Sequence, residues 1–166
     1  MRRLAVIVIA ACSSDPSSTA IGDNPPACGE VLEAPGGACP AACTSCDGNI
    51  CHIACASSQC NDTTITCPDD FACDITCEGL DACDTTTIEC PTEFACAVSC
   101  TSYDACGDVV LRCGRGTCDM TCNGGSESCG GSLMDCSDGA ACTSTCNGSS
   151  GPALDCGGAC ACDTNC

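Results

Sequence analysis

Tryptophan and lysine are absent from the 166 residues, and there is one tyrosine (Tyr103), one histidine (His52) and two phenylalanines (Phe71, Phe94). From residue 39 onward, 128 residues hold only sixteen of Ile, Leu, Val, Met and Phe. A core of large side chains is therefore excluded, although ordering the backbone costs about 1–2 kcal/mol per residue. Basic residues are as scarce. The four arginines include Arg2 and Arg3, so the chain beyond its start sets Arg112 and Arg115 against 22 acidic residues. Phosphate contacts need Lys and Arg, which excludes nucleic acid as a partner class. The only sizeable apolar run, Leu4 to Ala11, is too short to cross a bilayer as a helix. No segment shows helical periodicity.

What fills the gap is cysteine, at 27 of 166 residues, with a formal charge of −18 around it. Cysteine at this density reads as a disulfide scaffold from an oxidising compartment, each bridge contributing roughly 2–4 kcal/mol. The acids read first as a soluble, self-repelling surface.

The cysteines recur. Cys67, Cys73, Cys77 and Cys83 return as Cys90, Cys96, Cys100 and Cys106, each 23 residues on, and these eight are expected to be structural. Less perfect copies begin at Cys46, Cys113, Cys136 and Cys156, the fifth lacking its fourth cysteine where NGSSG stands. A period of this size is the signature of a solenoid. Within a copy the pattern alternates. Ile65, Ile88, Leu111, Met134 and Leu154 each lie two residues before an opening cysteine. In FACDITC, Phe71, Cys73, Ile75 and Cys77 share one face, and Phe94, Cys96, Val98 and Cys100 do the same in FACAVSC. A column Ile53, Ile75, Val98, Met120, Ser144, Thr164 runs between them. Period two means strands with cysteine on the inner face. Asn61, Asp84, Gly107 and Gly130, each after a fourth cysteine, are expected at turns with positive φ.

On these residues the repeat resembles a right-handed parallel β-helix of pectate-lyase-like architecture. The expected fold is all-β, a disulfide-rich solenoid of about five or six coils over residues 46–166, with a string of small disulfide-linked modules as the alternative. Disulfides between coils and across a thin core both remain open.

Residues 1–11 combine a basic start with an apolar run and read as a signal peptide. Ile9, Ala10, Ala11 and Cys12 resemble the lipobox of bacterial lipoproteins, which implies lipidation of Cys12. Removing Cys12 leaves 26 cysteines, enough for thirteen disulfides. Ser13 after that cysteine implies, by the same resemblance, the outer membrane if the source is Gram-negative; a freely secreted chain is the alternative. Residues 12–27 read as lipidated Cys and polar tether, and residues 28–45 as an N-terminal cap. As a whole the chain resembles the cysteine-rich repeat lipoproteins of bacterial cell envelopes. That resemblance implies a non-enzymatic, membrane-anchored protein with a structural, adhesive or display role, whose partner would be a protein or glycan surface. Nothing in the sequence specifies an oligomeric state.

The alternative is a metal-binding module. Thiolate sites call for dense C-x-C or paired C-x2-C, and only one of each occurs, Cys160 with Cys162 and Cys43 with Cys46. Calcium could use Asp69, Asp70, Asp81, Asp84 and Glu89, yet no EF-hand loop or nonapeptide repeat is present. No cofactor or dedicated metal site is expected. For catalysis, Asp81 with Asp104 lacks the aromatics of a sugar-binding groove, and His52 has no partner set that spacing singles out. Thr63, Thr64, Thr86 and Thr87 resemble the threonine ladders of insect-type ice-binding proteins, but only across two coils.

Overall fold

Alternation around the cysteines becomes two stacks of short parallel strands. The computed structural model describes residue 28, residues 30–136 and residues 140–166; the expected signal, Cys12 and tether lie outside these. There is no helix among the described residues. The strands are β1 Ser45–Asp47, β2 Ile50–Cys55, β3 Thr64–Thr66, β4 Ala72–Cys77, β5 Thr87–Glu89 and β6 Cys96–Cys100. They continue as β7 Val110–Arg112, β8 Thr117–Cys122, β9 Leu133–Asp135, β10 Ala141–Cys146, β11 Ala153–Asp155 and β12 Ala161–Asn165.

The long strands form one sheet in the order β1-β2-β4-β6-β8-β10-β12, and the short ones a second in the order β11-β9-β7-β5-β3. Each coil is thus a long strand, a cysteine loop, a short strand and a corner. The molecule is a parallel β-solenoid of about five turns. Continuous ladders through both sheets exclude separate modules. Like residues stack: Cys51, Cys73, Cys96, Cys118, Cys142 and Cys162 are register partners, as are Ile53, Ile75, Val98, Met120, Ser144 and Thr164. In the short sheet, Ile65, Ile88, Leu111, Met134 and Leu154 do the same.

Side chains on the inner faces meet across a narrow interior. Ile75, Ile88, Leu111, Met120 and Met134 are fully buried, and the cysteines between them supply the rest of the core. Inward hydroxyls find partners: Ser132 Oγ donates to Cys106 O at 2.6 Å, Ser128 Oγ to Cys100 O at 3.3 Å, and Ser144 Oγ, where the Ile53 column turns polar, to Thr164 Oγ1 at 3.0 Å. No buried side-chain N or O among the described residues lacks a partner.

Two expectations shift by a residue or a neighbour. The left-handed turn positions are Asp62, Thr85, Asp108 and Gly131, one residue after Asn61, Asp84, Gly107 and Gly130. Phe71 is buried, but Phe94 is partly exposed. Two residues before the next coil's cysteine stands Gly116, which has no side chain to cover Phe94. Its backbone sits so close that a Cβ would lie 2.3 Å from Phe94 O.

The first copy also departs from the others. Cys46 lies in β1, which pairs antiparallel with β2. This hairpin covers the open edge of the long sheet, the hazard any exposed strand edge presents. Ahead of it, Cys28 is bonded to Cys160 in the last coil.

Candidate functional site

Thirteen disulfides use every cysteine from Cys28 to Cys166. In the middle coils the bonds follow one rule: first cysteine to second (Cys67–Cys73, Cys90–Cys96, Cys113–Cys118, Cys136–Cys142) and third to fourth (Cys77–Cys83, Cys100–Cys106, Cys122–Cys129). The choice left open by the sequence is therefore made in favour of bridges inside a coil. The first-to-second bonds join the residue after a short strand to the start of the next long strand, and the third-to-fourth bonds join the end of a long strand to the loop that follows it, so the bonds pin the corners. Cys146, whose own fourth cysteine is missing, reaches to Cys166 in the next coil.

Sulfurs crowd as a result. Cys39, Cys43 and Cys46, then Cys55, Cys60 and Cys83, then Cys113, Cys136 and Cys142 form groups with sulfurs within 4.8 Å of one another. All nine are in disulfides, and a disulfide sulfur is not the thiolate that zinc or copper requires.

The carboxylates proposed from sequence as calcium ligands are dispersed. Asp69 sits at the corner before the long strands, accepting from Thr92 N at 3.2 Å and Thr92 Oγ1 at 3.0 Å. Glu89 faces outward from β5, where it accepts from Thr66 Oγ1 at 3.1 Å and pairs with Arg112 at 3.5 Å. Asp81 and Asp84 are at the cysteine-loop corner, together with Asp62, Asp104 and Asp108. Turn geometry brings these together, since Asp62, Asp81, Asp104 and Asp108 all take left-handed φ of 49–55°. Asp84 and Asp104 converge over Gly107, where a Cβ would meet both carboxylates within 2.7 Å. Burial, then the charges of Asp104, Asp81, Asp108 and Asp62, hold the Asp84 carboxyl above its ordinary range. Among the described residues no three carboxylate or imidazole groups approach closely enough to chelate one ion.

His52 lies on the outer face of the long sheet with Asp74 as its neighbour, Nδ1 to Oδ2 3.0 Å. Arg115 pairs with Glu93 at 3.4 Å. These pairs, with Arg112 and Glu89, link neighbouring coils in half-exposed positions, where each is worth about 0–1 kcal/mol. The threonine ladder does not form an outward array. Thr86 is fully buried and its Oγ1 donates to Cys60 O, leaving Thr64 and Thr87 as the outward pair.

A different hydroxyl column faces outward. Thr76, Ser99, Thr121 and Thr145, each just before the third cysteine of its copy, are register partners on the outer face of the long sheet. Beside them run His52, Asp74, Ala97, Asp119, Thr143 and Asp163. Asp119 is raised by burial against its neighbours, an effect opposed by a hydrogen bond from Thr143. An open depression of about 330 Å³ lies between Thr44, Ala54, Gln59, Thr76 and Glu78, with one carboxylate and no second titratable group. No family model, curated protein or solved structure matches the chain.

Proposed function

We propose that this is a non-enzymatic, lipid-anchored cell-envelope protein, a rigid acidic rod with a structural, adhesive or display role. The observation that supports it is the cysteine inventory. With all 26 cysteines from Cys28 onward paired among themselves, Cys12 is the one cysteine with no partner left in the chain, and it is the residue that stands at the end of the lipobox-like Ile9-Ala10-Ala11-Cys12. The rod's surface also suits display: regular, cross-linked and marked by columns of small polar and acidic side chains rather than by an enclosed cleft. The partner of such a surface would be a protein or a glycan, and the location the outer membrane in a Gram-negative cell.

Mass spectrometry of the membrane-extracted protein tests both halves. The expected product begins at Cys12 with an acyl-glyceryl group, gains no alkyl label before reduction, and weighs about 26 Da less than its reduced form, two hydrogens per bridge. An unmodified chain cut elsewhere, recovered in the soluble fraction, sinks the anchor and leaves the secreted alternative. A second reading, diffuse binding of calcium along the acidic corner, is favoured by the crowding of Asp84 with four other carboxylates. Native mass spectrometry before and after chelation separates it, since a distribution of calcium adducts that chelator removes is expected only there.

A further inference from the structure

One short segment ties the two ends of the rod together. Cys28 is bonded to Cys160, which stands in the corner before β12. A few residues on, Ala34 is buried and its carbonyl accepts from Asn49 Nδ2 at 3.0 Å, and Gly36 N donates to Asp70 O at 2.8 Å. Asn49 and Asp70 precede β2 and β4, at the opposite end of the ladder. This strap therefore runs from the last coil to the first, against the direction in which the solenoid winds. Five ladder steps of about 4.8 Å make about 24 Å. Eight residues reach at most about 26–29 Å. Eight residues are thus enough to run from the last coil to the first.

The consequence is that the chain enters its folded body beside the last coil. Resting on the lipid anchor proposed above, we infer that the Cys28–Cys160 bond sets the polarity of the rod on the membrane. The last coil, with Cys166, stands next to the lipid, and the β1–β2 hairpin points away. A solenoid entered at its first coil would stand the other way up. Fifteen residues separate Cys12 from Cys28. If those residues act as the flexible tether expected from the sequence, their root-mean-square span is about 20–23 Å, close to the length of the rod, so the exit point decides which end is nearer. Charge independently favours the same polarity. Residues 46–112 carry twelve acids and Arg112, and residues 113–166 carry six acids and Arg115. An anionic lipid surface repels the first half more strongly within the Debye length of about 8 Å.

The test uses the full mature chain on vesicles containing a headgroup-labelled acceptor lipid, with a fluorescent amino acid introduced by codon suppression at Asp47 or at Asp163. The expected energy transfer is about twofold or more greater from the Asp163 site. In the double variant Cys28→Ser, Cys160→Ser the exit moves to Ala34–Gly36 and the order reverses. A second chain, with about sixteen Gly and Ser residues inserted before Cys28, keeps every disulfide and is expected to bring the two values together. Equal transfer from both sites in the native chain, or an order that the double variant and the insertion leave unchanged, overturns the inference. If mass spectrometry finds no lipid on Cys12, the anchoring fails separately, and the same comparison is made with hexahistidine at that position on nickel-chelating lipid.

Discussion

The middle coils and the two ends of the rod use the same residue for different purposes. From Cys67 to Cys142 the disulfides close inside a coil over five to seven residues and leave cohesion between coils to the backbone ladders and the stacked columns. At the ends, where a ladder has a partner on one side only, the bonds change character. Cys39–Cys46 and Cys43–Cys51 fasten the hairpin that covers β2. Cys146–Cys166 holds the last coil to the one before, and Cys28–Cys160 ties on the strap. Repetition thus shapes the coil, while departures from repetition finish the stack. A middle coil draws its stability from packing on both sides; an end coil needs a covalent tie.

The sharpest way to break this contrast is to empty the same column in both places. Leu111 is fully buried in β7 and Leu154 only partly buried in β11. Leu111→Ala is expected to cost about 2–5 kcal/mol in a denaturant titration with the disulfides intact, and Leu154→Ala about 1 kcal/mol. Equal costs would mean that the last coil is packed as well as the middle ones.

Next in size is the covalent tie. Replacing both Cys146 and Cys166 with serine opens a bridge of sequence separation 20, worth about 3 kcal/mol by loop closure. Its loss is expected in the last coil alone. Hydrogen exchange should show β11 and β12 losing protection while β4 to β7 keep theirs, and uniform loss along the rod would contradict the division of labour.

The smallest effect concerns charge at the cysteine-loop corner. A carboxyl whose pKa is raised in the folded state above its ordinary value of 3.8 favours folding when protonated and opposes it when ionised. Asp84 therefore withdraws stability as pH rises above about 3.8 and through its folded value. Asp84→Asn is expected to stabilise the protein at pH 7 by about 0.5 kcal/mol, an effect that fades below pH 3.8 and in high salt. Thermal melts across pH and ionic strength check it. Added salt should raise the melting temperature of the parent chain more than that of the variant.

Much of the fold was written in the spacing. A 23-residue period with alternation around each cysteine leaves few options besides stacked strands, and the column from Ile53 to Thr164 came out in the register that alternation implies. Pairing of the cysteines was not legible, because inward cysteines on stacked coils have neighbours in several directions and spacing alone does not rank them. The turn positions were misplaced by one residue for a local reason. The left-handed slot holds Thr85 in one coil and aspartate in two others, and a β-branched residue gives no hint of positive φ. Phe94 depended on Gly116, a residue of the following copy. As for a site, the sequence showed acids but not their sorting: Asp69, Asp84 and Glu89 are close in the chain, yet the winding sends them to different edges of the rod. The hydroxyl column from Thr76 to Thr145 occupies one position per copy, just before the third cysteine, and its outward face follows from the same alternation.

Pairing inside the coil also bears on how the protein can be made. Eleven of the thirteen bonds join cysteines five to eight residues apart, and the eight from Cys55–Cys60 to Cys136–Cys142 join consecutive cysteines, so with Cys28 held unpaired these eight form correctly in chain order as the polypeptide emerges. Cys39–Cys46 and Cys43–Cys51 interleave, Cys156–Cys162 skips Cys160, Cys146 waits 20 residues, and Cys28 waits 132 for a partner in the final coil. A thiol label on Cys28 would accordingly mark chains still being wound, and its disappearance would report that the last turn has been laid down.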